Sequence, residues 1–317
     1  MPPLQMLSSC AMNSPATLAK RSAVVGLFTW MILLFLTTSD AYETQLIHSV
    51  ALFGMLVIVP LGLSVIAANS LLYRTIVSVQ PFAALMAVAS FLFETGLLAA
   101  LLSSAWLIFT VLVALLGVAR IISRGLYPLE ELSLDAGLLY LPVAGVWLVI
   151  YRLGVQPFGY GETIILLTVV HFHFAGFAAP IIAGMSGRVL ATRAYPRAMY
   201  AFSVFAIVAS MPLVAAGITF TPVVGLIGAL LLSIGLVLFA ILNIGWVRPA
   251  IGPAGKRLLL IIGALSSCAA MVLACLYAYS LVAQTLIVTI PGMAMTHGLL
   301  NAFGFVGCSL LAYTLPE

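Results

Sequence analysis

Apolar runs of roughly 17 to 25 residues recur from residue 23 almost to the C-terminus, separated by short polar or basic breaks. A helix rises about 1.5 Å per residue, so each run is long enough to cross the roughly 30 Å of a bilayer's hydrocarbon core. The pattern predicts helices at about 23–39, 45–68, 80–100, 103–122, 134–152, 162–185, 198–218, 222–244, 257–281 and 293–315. The third and fourth are the hardest to divide, because Glu94 is the only charge between residues 82 and 119. One helix of that length would overshoot the membrane, so a tight turn is expected near residues 101–104. The fold class that follows is all-α, a polytopic transmembrane helical bundle of about ten spans. Residues 1–22 are read as a short cytoplasmic segment and 23–317 as one transmembrane domain.

The charges orient these helices. With ten spans, one side receives Lys20, Arg21, Arg74, Arg120, Arg124, Arg188, Arg193, Arg197, Arg248, Lys256 and Arg257, and the other receives only Arg152. A bias of eleven to one predicts that the basic side is cytoplasmic and that both termini lie there. Lys20 and Arg21 precede the first apolar run, as in a signal peptide, but no small-x-small cleavage site follows, so that run is read as a retained anchor helix. The localisation expected is a bacterial cytoplasmic membrane.

Composition agrees. Of the 317 residues 64% are hydrophobic and 6% charged, and the mean hydropathy is +1.27, which leaves too little polar surface to clothe a soluble globule. The net charge of +4 is scattered over short loop groups, with no continuous groove or arm for nucleic acid. No GxxxxGK[ST], GxGxxG or HExxH pattern is present. Cys10, Cys268, Cys275 and Cys308 form no CxxC and read as packing residues. Stretches such as GFAAPIIAG and IIGALSSCAA supply small residues for close helix packing, within one chain or between copies, so the oligomeric state stays open.

The titratable groups sort to one side. Tyr42, Glu43 and His48 fall near the outer end of the second span, and Glu94 about two thirds of the way across the third. Glu162 starts the sixth, with His171 and His173 roughly 14 to 17 Å below it. His297 and Asn301 lie on the tenth, one helical turn apart. Ionisable groups at such depth should face the protein interior or a cavity. The histidines come from spans two, six and ten, which the fold would have to gather. In the stretch TVVHFHFAGFAAP, His171 and His173 are spaced i,i+2 and diverge by about 200° on a regular helix, a poor arrangement for joint metal ligation. Gly176 and Pro180 favour a distortion there, which leaves three arrangements open: both rings in one cavity, one reactive and one satisfied by hydrogen bonds, or a purely structural pair.

HFHFAGF at 171–177 together with THGLLNAFGF at 296–305 resembles the YndJ-like family of bacterial integral membrane proteins. The resemblance covers most of the polytopic region and marks out His171, His173, His297 and Asn301; it implies no particular reaction.

From the residues, the reading is an intramembrane enzyme that moves protons on a lipophilic small molecule, an isomerase or cyclase, in a cavity in the outer half of the membrane. Glu94, His171, His173 and His297 are the candidate catalytic groups, and Tyr42, Glu43, His48, Glu162 and Asn301 the candidate substrate-binding ones, with no cofactor or metal required. The expected partners are that substrate and membrane lipid, and no nucleic acid. Two alternatives stand beside it: a haem- or metal-dependent oxidoreductase using the histidines, and a proton-coupled transporter.

Overall fold

The computed structural model describes residues 14–36, 42–66, 68 and 70–316, apart from the side chains of Leu36, Tyr42 and Glu43. Ten helices in it are long and apolar enough to cross a membrane, and no strand occurs among the described residues. They are α1 (Pro15–Leu36), α2 (residues 42–64), α3 (Leu71–Ser90), α4 (Leu97–Arg124), α5 (Leu129–Leu153), α6 (Glu162–Leu190), α7 (Arg197–Thr219), α8 (Pro222–Ala250), α9 (Ala254–Ala283) and α10 (Ile290–Thr314). Consecutive helices pack largely as antiparallel neighbours. The centre belongs to α2 and α6, with 83% and 67% of their apolar windows buried against 17% for α1.

Two boundaries differ from the hydropathy reading. α1 starts at Pro15, inside the segment assigned to the N-terminal tail. Ser14 caps it, its Oγ accepting from Thr17 N at 3.2 Å, and proline suits the first turn of a helix because its missing N–H needs no partner there. α3 starts at Leu71, where Ser70 Oγ accepts from Tyr73 N at 3.1 Å. Its 20 residues complete about 30 Å by Ser90. The turn therefore falls at residues 91–96 and not at 101–104. Gly96 closes it with φ of 152°, a backbone that a side chain disfavours, and Gly96 N donates to Arg152 O at 2.8 Å.

Five segments widen to π-helical turns: Gly54–Ile58 in α2, Phe172–Ala178 in α6, Asn243–Val247 in α8, and Ala294–Gly298 and Leu300–Gly307 in α10. Those of α2, α6 and α10 pack against one another. The approach is close enough to require glycine: a Cβ on Gly54 would meet His173 Cβ at 3.0 Å, and one on Gly62 would meet the Phe177 ring at 2.7 Å. Wide turns of this kind recur at functional sites.

The basic end of the bundle is not a set of free loop charges. Asp135, fully buried on α5, accepts from Arg120 Nε at 2.5 Å and from Arg124 Nη2 at 2.6 Å. Glu131, one turn earlier, accepts from Arg120 Nη2 and from Arg188 Nε, both at 2.6 Å. Arg188 Nη1 reaches Val65 O at 2.9 Å. The network ties the ends of α2, α4, α5 and α6 together, and the paired carboxylates are what allow guanidinium groups so close to hydrocarbon.

Candidate functional site

The gathering of spans two, six and ten is present. His171 on α6 faces His297 on α10, with ring centroids 6.5 Å apart and planes inclined by 27°. Each ring is oriented by a main-chain carbonyl at Nδ1: Leu167 O lies 2.7 Å from His171 and Ala270 O 2.9 Å from His297. A carbonyl oxygen only accepts, so Nδ1 carries the proton in both neutral imidazoles and Nε2 presents the lone pair. Asn301 Nδ2 sits 3.2 Å from His297 Nε2 and donates to His297 O at 2.9 Å. His171 Nε2 has no protein partner among the described residues. These rings lie nine and seven residues into their helices, about 14 and 10 Å from the end opposite the arginine network.

His173 does not join them. The distortion expected at Gly176 and Pro180 exists, as the π turn Phe172–Ala178, but it leaves the two rings on different sides of α6. His173 is fully buried, donates from Nδ1 to Val169 O at 2.8 Å and accepts at Nε2 from Trp106 Nε1 on α4 at 3.1 Å. Both nitrogens are satisfied, so its part is to fix α6 against α4.

Glu94 is the second correction. It is exposed in the turn between α3 and α4, beyond the end of either helix, because α3 completes its crossing four residues earlier.

The substrate-binding candidates divide. Glu162 is exposed in the first turn of α6, where a carboxylate complements the helix dipole. Tyr42 and Glu43 begin α2, with side chains outside the described residues. His48 lies apart from the other histidines; its Nε2 is 2.6 Å from Tyr151 Oη and its ring packs edge-on to Phe91 at 5.0 Å. Trp30, Phe53 and Phe303 form an aromatic cluster, with centroids 4.8 to 5.8 Å apart.

The hydropathy reading passed over Trp106, whose indole N–H settles the role of His173, and the carboxylates Glu131 and Asp135. It also passed over Arg152, although that residue's isolation as the sole basic group on its side was already visible. Among the described residues no three His, Cys, Asp or Glu side chains are grouped to hold a metal ion, so metal ligation here would depend on His171 and His297 alone. Cys268, Cys275 and Cys308 are unpaired and half-buried, and Cys10 lies outside the described residues.

A family model for the YndJ-like protein matches residues 49–305. The chain belongs to the YndJ-like family. The matched range contains both histidine motifs on which the resemblance was read. The chain is also 28% identical over 309 residues to the uncharacterized membrane protein YndJ of Bacillus subtilis (strain 168), an alignment covering 94% of this chain and 53% of that relative. It thus spans about half the length of the curated relative it matches. No solved structure matches. Within this YndJ-like chain, His171, His297 and Asn301 are the predicted site residues that the fold brings together.

Proposed function

We propose that this membrane protein is an enzyme that relocates a proton on a lipophilic small molecule, as an isomerase or cyclase does, with His171 and His297 as the acid-base pair. The observation that carries the reading is the opposed pair of imidazoles from two separate helices, each oriented at Nδ1 by a backbone carbonyl, with Nε2 of His171 left for chemistry and Nε2 of His297 met by the Asn301 amide. His171 Nε2 takes a proton from a carbon acid or hydroxyl of the substrate, and the imidazolium so formed returns it at another position. No electron is gained or lost. Asn301 holds the His297 ring, and His297 lies close enough to stabilise the charge that develops or to deliver the proton itself. The donor role sought in Glu94 passes to this pair. His171 is exposed on the flank of α6, where a substrate drawn from the bilayer can reach it, and with the basic end in the cytoplasm the pair lies in the outer half of a bacterial cytoplasmic membrane.

The test is solvent isotope incorporation. Vesicles holding the protein are incubated with bacterial lipid extract in deuterated water, and the lipids are compared by mass spectrometry. One lipophilic component should acquire carbon-bound deuterium with the wild-type chain and not with His171→Gln. Identical isotope patterns for the two would sink the proposal.

A further inference from the structure

Arg152, the one basic residue at the end of the bundle away from the arginine network, is 5% exposed. Its Nη2 donates to Ser90 O at 2.9 Å and Phe93 O at 2.6 Å, and the guanidinium lies 5.0 Å from the Phe91 ring centroid and 5.7 Å from that of Tyr151. Its Nε is buried and has no hydrogen-bond partner. No carboxylate among the described residues stands within ion-pair distance of it, whereas Arg120, Arg124 and Arg188 all have one. A buried cation with an uncommitted N–H and no counter-charge is costly unless something supplies the anion.

Beside it is a cavity of about 130 Å³ with Arg152, His48, Gln45, Trp30, Phe91 and Leu34 in its wall. His48 Nε2 is engaged by Tyr151, while Nδ1 of the same ring has no protein partner among the described residues. The Trp30 indole N–H is used on Ser49 O at 2.7 Å, so Arg152 and His48 are the groups left to meet a ligand oxygen. Leu34 and its neighbour Phe35 are exposed on the flank of α1, at 38% and 86%, so the cavity borders the surface that faces lipid.

The structure assigns this cavity as a binding site for the carboxylate of a long-chain acid that enters from the bilayer, with the head on Arg152 and His48 and the chain leaving past Leu34. A carboxylate matches the two groups left in the wall, one oxygen to the Arg152 guanidinium and the other to the His48 ring. Charge-assisted bonds from a guanidinium are the strong kind, and they are stronger still away from bulk water. The assignment does not rest on the histidine pair His171 and His297.

The experiment uses the full chain in discs of neutral phosphatidylcholine, with radiolabelled hexadecanoate as the probe and hexadecanol and phosphatidylglycerol as competitors. Hexadecanoate should bind saturably at one per chain, and hexadecanol at least tenfold more weakly. Arg152→Gln should reduce the affinity for the acid at least tenfold and leave that for the alcohol unchanged, with Arg152→Lys in between. If Arg152 only fastens the turn at residues 91–96, the wild-type chain will bind acid and alcohol equally. That result overturns the assignment, as does an unaltered preference in Arg152→Gln or displacement by phosphatidylglycerol as effective as by the acid. The wild-type comparison holds whether or not the variant folds.

Discussion

The indole N–H of Trp106 on α4 is donated to Nε2 of His173 on α6 across 3.1 Å. One bond thereby removes His173 from the set of available bases and explains why two histidines stand so close in the sequence. One of them reaches toward α10, and the other anchors α6 from behind.

Trp106→Phe should leave His173 Nε2 buried without a donor and cost about 1–3 kcal/mol. The combined Trp106→Phe, His173→Phe variant should recover part of the loss, because neither partner then leaves a polar atom stranded. Thermal unfolding in detergent of the two single variants and the double reads the coupling, of about 0.5–3 kcal/mol. Strict additivity would remove the structural role given to His173.

Asp135→Leu should be among the most damaging single changes in the chain. It strips Arg120 and Arg124 of a fully buried partner, and breaking a buried pair from one side costs about 3–5 kcal/mol. The yield of folded protein in membranes should fall sharply, whereas Glu162→Gln, on an exposed carboxylate, should change it little.

Gly62→Ala should cost about 1–3 kcal/mol, since its Cβ would stand 2.7 Å from the Phe177 ring where α2 meets α6. Phe177→Leu in the same chain should relieve the clash. Unfolding temperatures of the single and double variants check this.

Glu94→Gln should leave stability within about 0.5 kcal/mol and leave any proton-transfer activity unchanged, because the carboxylate is exposed in a turn. The same turn reports orientation. In a chain freed of its native cysteines, Glu94→Cys should react with an impermeant maleimide in intact cells and Arg193→Cys only after lysis. The reverse pattern would invert the assignment of the cytoplasmic side.

Much of the fold was legible in the sequence because hydrocarbon admits few solutions. Ten apolar runs became ten helices, and α2, α6 and α10, which carry the histidines, pack against one another. The boundary of α3 was not legible, since hydropathy is almost flat from 82 to 119 and the decisive signal, the Ser70 cap, lies well upstream of the turn it sets. For Glu94 that error of about ten residues separates mid-membrane from the end of the bundle. His171 and His173 could not be ranked from spacing, because the choice depended on a tryptophan 67 positions away. Arg152 was legible and went unused: the only cation on its side of the chain is buried, with no carboxylate within ion-pair distance among the described residues.

The π turn at Phe172–Ala178 also sets how α6 tolerates change in length. A wide turn accommodates one more residue than an α turn in the same register, and each residue of an α-helix accounts for about 100° of rotation. Excising a single residue such as Ala175 would let α6 relax into a regular helix with its two halves still in register, so that His171 keeps its place opposite His297 while Arg188 stays in the arginine network. The same excision from the regular stretch Glu162–His171 would instead turn the residues before it by about 100°. The irregularity is therefore a spacer, and the sequence on either side of it is written in two different phases.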